Sequence, residues 1–317
     1  QGMNSFIEEG YVAVVQDTRG FGTSQGEKHV FLTDGWRPGL TDGADTIAWI
    51  RAQPWCNGKI GTAGTSALAM TQMMLAPTTK EIAAQFMNKV PANFYFDVVY
   101  PGGVFRKNLV EGWLTALGQS DLIAFYKNLP RYEEYWDYYN TVAQASNITA
   151  PGIFVGGWFD IFAKGTLEGF MARERQGGKG AQGRNYLVMQ WGTHGRDTTT
   201  DYKLKPNRHE VSTSALRQKF FEHYLKGDAE ALNGIPKVQY YILGDDTDPD
   251  APGNEWRTAD TWPPYPATAT PFYLQPDGAL GSESASGEAA HHEFTFDPND
   301  PYPTWGGANL LPNLVSG

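Results

Sequence analysis

The chain has 317 residues, 41% hydrophobic and 19% charged, a composition typical of a globular protein with room for two or three domains. Its formal net charge of −10 would repel a polyanion, so nucleic acid is not expected as a partner. The single cysteine, Cys56, excludes an internal disulfide, and the Cys and His spacing fits no zinc site. We therefore expect neither a metal nor a cofactor.

No apolar run approaches the roughly eighteen residues of a membrane span, and no signal peptide is visible at the first residues. The sequence thus predicts no membrane partner. It leaves the compartment open, with the cytoplasm slightly favoured, and leaves a homo-oligomer open as well.

The first elements read as alternating strands and helices. Residues 11–16 (YVAVVQ) are a β-branched apolar run that predicts a strand buried on both faces. The glycine-rich residues 17–26 that follow lack the lysine and Ser/Thr of a nucleotide loop. Residues 42–52 predict a helix, with acidic residues at its start and Pro54 just beyond its end. This alternation of strands and helices indicates a parallel sheet covered by helices.

Ser66 stands at the junction of a predicted strand and a predicted helix. A short run of small and β-branched residues leads into Gly64, Thr65 and Ser66, and residues 68–75 continue as a helix. Small neighbours are what a strained nucleophile elbow requires, since bulky side chains would collide in the tight turn. On its own the motif is weak, because an ordinary strand-to-helix turn looks the same.

Residues 91–147 are unusually aromatic, with helical patterns predicted over residues 112–129 and 131–145. Such a segment suits a cap over an active site, although packing of the cap's own core explains each aromatic equally well. The cap carboxylates Glu133, Glu134 and Asp137 predict a solvated helix face; the alternative is attraction of a substrate ammonium.

After the cap the strand pattern resumes, and two further predicted strands are each followed by a polar residue. A strand over residues 152–159 ends at Asp160, and a strand over residues 185–190 leads to His194. Helices are predicted from about residue 162 to 175 and over residues 215–226. Because parallel strands end at one edge of the sheet, Ser66, Asp160 and His194 should meet there.

Beyond residue 234 the pattern changes to short strands. They are predicted over residues 238–243, 256–257, 270–274 and 292–296, separated by Pro, Gly and Asp. This spacing favours an antiparallel sandwich or jelly roll, and the strands are too few to close one.

The chain order serine, aspartate, histidine is the order of α/β-hydrolases. In such a triad a histidine takes the serine proton and a carboxylate holds the histidine. The remaining histidines fit the role less well: His29 and His209 lie in polar loops, His223 on a helix, and the adjacent pair 291–292 points to opposite faces of a peripheral strand. The sequence therefore predicts Ser66 as nucleophile, His194 as general base and acid, and Asp160 as the residue that orients it.

Five motifs together resemble the CocE/NonD family of serine hydrolases, which includes cocaine esterase, α-amino acid ester hydrolases and glutaryl-cephalosporin acylases and is related to X-Pro dipeptidyl-peptidases. The motifs are residues 17–26 (DTRGFGTSQG), 53–61 (QPWCNGKIG), 64–66 (GTS), 156–160 (GGWFD) and 192–195 (GTHG). A sixth, residues 297–307 (DPNDPYPTWGG), is similar to the family's carboxyl-terminal jelly roll.

The resemblance implies an α/β-hydrolase core over residues 1–90 and 148–234, an inserted helical cap over residues 91–147, and a partial jelly roll over residues 235–317. The first strands of the core are expected to be missing. It also implies a Ser-His-Asp hydrolase of esters or amides, acting on a small-molecule substrate.

Two departures from the family pattern concern the oxyanion hole. Ala67 replaces the family's tyrosine after the nucleophile, but its backbone N–H can still donate to an oxyanion. The family's second donor, a tyrosine hydroxyl, belongs to a region that precedes residue 1. The expected acyl pocket is lined by Trp158, Phe162 and Trp113, where simple packing is an equal explanation.

Two other functions stay open at this point. One is an X-Pro dipeptidyl-peptidase, which needs a carboxylate to hold the free amine of its substrate. The other is a binding protein without catalysis on a decayed hydrolase scaffold, favoured by the missing oxyanion donor and disfavoured by the intact triad order.

Overall fold

A six-stranded sheet crosses the centre of the computed structural model, which describes residues 3–195, 202–248, 250–286 and 291–300. Its strands follow one another in space as they do in sequence. They are β1 (Ile60–Thr65), β2 (Ile82–Asn88), β3 (Gly152–Phe159), β4 (Tyr186–Thr193), β5 (Val238–Ile242) and β6 (Glu255–Ala259). The first five strands run parallel, and β6 pairs antiparallel with β5.

Helices cover both faces of this sheet and form the cap. They are α1 (Asn4–Glu8), α2 (Asp42–Arg51), α3 (Ala67–Leu75), α4 (Lys107–Ala116), α5 (Asp121–Lys127), α6 (Glu134–Asp137), α7 (Ala163–Gln176) and α8 (Thr213–Phe221). Tyr95–Val99 and Glu222–Lys226 are π-helical, and Leu32–Asp34, Pro101–Gly103, Ala145–Asn147 and Pro206–His209 are 3-10 turns. None of the helices in the described ranges is long and apolar enough to span a membrane.

The two faces of the sheet are set by the alternation of side chains along each strand. On β3, Phe154 faces the layer of α3 and α7, whereas Ile153 and Val155 face the layer of α8. All three are essentially fully buried. Because both faces are covered, the central strands are apolar on both sides, as the sequence pattern of a parallel sheet predicts.

The connection between β2 and β3 carries the aromatic cap. Its predicted helix over residues 112–129 is interrupted at Gly118, which has a φ of 66° and separates α4 from α5. The predicted helix over residues 131–145 is wrong apart from α6. The amide of Thr141 instead donates to Ala92 and that of Phe94 to Tyr139, which forms an isolated bridge between Asn93 and Asn140, and the residues after it form turns.

Residues 11–16 are not the buried strand that their composition predicts. They form no strand, and Val12 and Val15 are 63% and 71% exposed. A strand requires a neighbour that accepts its backbone hydrogen bonds. Within the described residues, β1 pairs with β2 alone, and no strand lies against residues 11–16.

The strands assigned to a jelly roll at residues 238–243 and 256–257 belong to the central sheet. They are β5 and β6, and β5 pairs in parallel with β4. The sequence of such short strands does not indicate which sheet they join, because strand pairing is decided by the tertiary structure. Further along, β7 (Tyr273–Leu274) and β8 (Leu280–Gly281) form a small hairpin, and His292 to Phe296 are not a strand. Residues 301–307 of the last motif lie outside the described residues.

Candidate active site

The predicted elbow at Ser66 is present between β1 and α3. Ser66 has φ 58° and ψ −120°, a strained combination for a residue with a side chain, and it is the N-cap of α3. Gly64 permits the tight approach, because a Cβ there would lie 2.5 Å from the Cβ of Leu68. This backbone conformation places the Ser66 hydroxyl at the carboxyl edge of the sheet, at the start of α3.

Three side chains from separate strand ends form a hydrogen-bonded chain. Ser66 Oγ lies 2.8 Å from His194 Nε2, and His194 Nδ1 lies 2.9 Å from Asp160 Oδ2. The Asp160 side chain is fully buried and His194 is nearly so. With the Nδ1 proton directed to Asp160, His194 Nε2 presents its lone pair to the serine hydroxyl.

The backbone holds the aspartate and the histidine next to each other. The amide of Phe162 donates to Asp160 Oδ1 at 2.7 Å, which fixes the carboxylate that faces His194. β3 and β4 pack so closely here that a Cβ on Gly157 would lie 2.2 Å from the carbonyl oxygen of Gly192. Glycine in the GGWFD motif therefore brings the two loops within hydrogen-bonding distance.

The backbone N–H of Ala67 lies at the positive end of α3. As the first residue of the helix it has no acceptor within the helix, whereas the amides of Ala69 and Met70 already donate to the Ser66 carbonyl. An N–H in this position, together with the helix dipole, suits a developing negative charge.

The three predicted pocket residues have different surroundings. Phe162 lies edge-on to the His194 ring, with ring centres 5.1 Å apart. Trp113 stacks on Phe31 in the cap cluster that also contains Phe162. Trp158 Nε1 donates to the Tyr241 carbonyl and its ring lies 5.9 Å from Trp262, so this half-buried side chain packs against the cluster that contains Phe154. Its place in the acyl pocket stays a prediction.

A cavity of about 480 Å³ adjoins His194 on the side of α8. Its lining is mainly polar: Asn88, Lys89, Gln190, Trp191, His194, Gly195, His209, Val211, Ser212, Thr213 and Ser214. Sequence reasoning missed Lys89, whose ammonium donates to the carbonyl oxygens of Thr193 and His194 at 2.6 and 3.0 Å. The sequence around a lysine that follows a strand does not indicate hydrogen bonds to residues more than a hundred positions away.

A cationic residue of the cap interacts electrostatically with Asp160. Burial lowers the pKa of Arg106, at the start of α4, and the negative charge of Asp160 opposes that shift. By contrast, the cap carboxylates Glu133, Glu134 and Asp137 are exposed, as a solvated helix face requires. Across the described ranges, no group of three or more His, Cys, Asp or Glu is placed to hold a metal ion.

Comparison with known families identifies the chain. The family model for X-Pro dipeptidyl-peptidase (S15 family) matches residues 1–124 and 117–196, which together are more than half of the chain. The chain belongs to the S15 family. Cocaine esterase from Rhodococcus sp. (strain MB1 Bresler) is 26% identical to it over 374 aligned positions, which cover 98% of this chain and 62% of the esterase.

Solved structures agree on the fold. A CocE/NonD family hydrolase from Staphylococcus aureus has a TM-score of 0.64 at 23% identity, covering 84% of this chain and 45% of that protein. An aminopeptidase from the marine sediment archaeon Thaumarchaeota archaeon has a TM-score of 0.68 at 23% identity, covering 91% and 54%. The α/β-hydrolase fold and the resemblance to CocE/NonD hydrolases are thus confirmed. The S15 chain described here spans less than two thirds of the length of these relatives.

Proposed function

We propose that this chain carries the catalytic core of a serine hydrolase that cleaves esters or amides through an acyl-enzyme. The observation that supports the proposal most strongly is the continuous hydrogen-bonded chain from Ser66 Oγ through His194 to Asp160. Its members stand at the ends of three parallel strands, where open α/β sheets hold their chemistry. Membership of a family of hydrolytic enzymes points the same way.

Acylation begins with Ser66 and ends with loss of the leaving group. His194 Nε2 removes the hydroxyl proton while Oγ attacks the carbonyl carbon of the substrate. The Ala67 N–H stabilises the oxyanion of the tetrahedral intermediate, at the positive end of α3. His194 then gives its proton to the departing alcohol or amine, and Asp160 stabilises the transient imidazolium.

Deacylation repeats these roles with water. His194 deprotonates a water molecule that attacks the acyl carbon, and the proton then returns to Ser66 Oγ as the carboxylic acid leaves. Each cycle consumes one substrate and one water molecule and returns Ser66 and His194 to their starting protonation states.

Phe162 is the pocket residue that we retain beside the nucleophile. Its ring contacts His194 and continues into the aromatic cap cluster that includes Trp113. Apolar walls of this kind favour bulky or aromatic acyl groups. We propose such acyl groups as the preferred substrate class.

Replacement of Ser66 tests the proposal. Ser66→Ala should abolish hydrolysis of p-nitrophenyl esters, with a loss of about 10⁴-fold or more, and should abolish labelling by a fluorophosphonate probe. Ser146→Ala, at an exposed serine of the cap, is the matched control and should retain both. Undiminished hydrolysis or labelling in the Ser66→Ala variant would refute the assignment.

An X-Pro dipeptidyl-peptidase is the second candidate, and the matching family model is what favours it. Such an enzyme must bind the free amine of its substrate with a carboxylate. Dipeptidyl-proline and simple ester chromogens, assayed side by side in the wild-type protein, separate the two. Higher kcat/KM on the dipeptidyl substrate would identify the peptidase.

A further inference from the structure

The residues at the end of β2 contact both the turn that carries Ser66 and the loop that carries His194. β2 lies next to β1, which leads to Ser66, and the Ser66 amide donates to the Asn88 carbonyl at 2.9 Å. The Asn88 side chain also donates to Thr65 Oγ1 at 3.2 Å. The last residue of β2 therefore fixes the turn that carries the nucleophile.

The next residue, Lys89, reaches in the opposite direction across the sheet edge. Its amide donates to the Val155 carbonyl of β3 at 2.7 Å. Its Nζ reaches one strand further, to the carbonyl oxygens of Thr193 and His194 at the end of β4. Neighbouring strands are about 4.8 Å apart, so a side chain as long as lysine is needed to reach that loop.

The backbone of Lys89 is also unusual. Its φ of 55° lies in the left-handed region, which residues with a side chain seldom adopt. The residue is 9% exposed, so its ammonium is largely withdrawn from water. Strained residues of this kind persist when surrounding contacts hold them, and they concentrate at functional sites.

We propose that Lys89 is a positioning residue for catalysis. Through the two carbonyl contacts it fixes the loop that follows β4 and thereby holds His194 Nε2 at 2.8 Å from Ser66 Oγ. Asn88 and Lys89 together connect the two loops whose spacing the proton transfer requires. This inference rests on the proposed function, since it assigns a role within the same site.

A positioning role predicts a change in kcat with little change in KM. Lys89→Met keeps an unbranched chain of the same length as far as Cε but removes the ammonium donors, and kcat for p-nitrophenyl ester hydrolysis should fall about 10- to 100-fold, because an error near 1 Å in a catalytic group has that effect. KM should stay within about twofold, since Lys89 is assigned no contact with substrate. Lys89→Gln, which retains an uncharged NH₂ donor group, should give an intermediate kcat.

The chain offers a matched control at the other end of β2. Lys80, just before β2, also donates from Nζ to a backbone carbonyl, that of Asn147, at the opposite end of the strand. Lys80→Met should leave kcat and KM within about twofold of wild type. The comparison separates loss of a lysine-to-carbonyl bond in general from loss of the one beside His194.

Chemical rescue distinguishes positioning from a purely structural role. The cavity beside Lys89 and His194 gives a small amine access, so propylammonium should restore part of kcat in Lys89→Ala. Tetramethylammonium, which has no N–H donor, should not restore it. Absence of rescue, or a kcat of Lys89→Met within twofold of wild type, would overturn the assignment.

Three further outcomes bear on the role of Lys89. If Lys89→Met does not fold, Lys89→Gln decides, and a wild-type kcat in that variant would overturn the role. If the wild-type protein itself shows no Ser66-dependent hydrolysis, the proposed function fails and the Lys89 assignment fails with it. Wild-type hydrolysis that is unaffected by Lys89 substitution overturns the positioning role alone.

Discussion

The carboxyl edge of the sheet and the aromatic cap are stabilised by different interactions. At the edge, the Ser66–His194 and His194–Asp160 contacts of 2.8 and 2.9 Å link side chains from three strand ends. In the cap, large rings pack against each other, with Trp136 stacked on Tyr126 at 5.7 Å and fully buried. Hydrogen-bond geometry has a narrow tolerance, whereas apolar packing contributes in proportion to area. Substitutions at the edge should therefore mainly change kcat, and substitutions in the cap should mainly change the free energy of unfolding.

A large effect is expected at the edge from Asp160, in addition to that of Ser66. Asp160→Asn retains the size of the side chain but no longer holds the Nδ1 proton of His194, so kcat for ester hydrolysis should fall about 10⁴-fold. The free energy of unfolding should change far less. Asp121→Asn, at an exposed position in α5, is the matched control and should retain full activity. A loss below tenfold in steady-state kinetics would contradict the role given to Asp160.

The largest expected effect in the cap comes from Trp136. Trp136→Ala empties a fully buried site and should lower the free energy of unfolding by about 3–5 kcal/mol in urea titrations. Trp49→Ala, at a tryptophan that is 56% exposed on α2, should cost less than about 1 kcal/mol. If the folded Trp136→Ala protein lost activity as severely as Asp160→Asn, the division between edge and cap would not hold.

A smaller, pH-dependent effect is expected at Asp34, in the 3-10 turn whose Leu32 packs against the cap. Burial, assisted by the negative charge of Asp42, raises the pKa of Asp34 from 3.8 to about 7, and its Oδ2 is buried without a hydrogen-bond partner among the described residues. Below pH 3.8 both the folded and the unfolded state are protonated at this carboxyl. As the pH rises to about 7 the unfolded state loses this proton first, so the folded state loses stability across that window.

Asp34→Asn removes this titration. The variant should be more stable than wild type at pH 8, and the wild-type loss of stability between about pH 4 and pH 7 should become smaller. Glu8→Gln, at an exposed carboxylate, should retain the wild-type pH dependence. Thermal unfolding at several pH values measures both, and an Asp34→Asn variant that is less stable than wild type at about pH 8 would be the contrary result.

Local patterns place Ser66, Asp160 and His194 each after a predicted strand, and the chain order of the three predicts the triad that the elbow motif alone does not. Gly64 and Ser66 stand at a strand-to-helix junction, and the chain order of Ser66, Asp160 and His194 follows from which strand precedes each. These signals lie within a few residues of each side chain, so no tertiary information is needed to read them. The sheet edge then brings the three together because the strands are parallel.

Features that depend on tertiary pairing could not be predicted in this way. β2 is not among the strands that the sequence predicts, and its Gln85 is fully buried, with its side-chain amide bonded to Gln72, Thr62 and Arg173. Residues 11–16 have the composition of a buried strand but no partner strand in the described ranges. The domain limits drawn at residues 90, 147 and 234 stay predictions, as does a jelly roll after β6.

The most direct test of the central claim is to locate the covalent adduct that a fluorophosphonate forms with the wild-type protein. Peptide mapping by mass spectrometry should find one adduct, on Ser66, and its rate of formation should fall by several orders of magnitude in His194→Ala. An adduct on another serine, or a labelling rate that does not depend on His194, would contradict the assignment of Ser66 as the activated nucleophile.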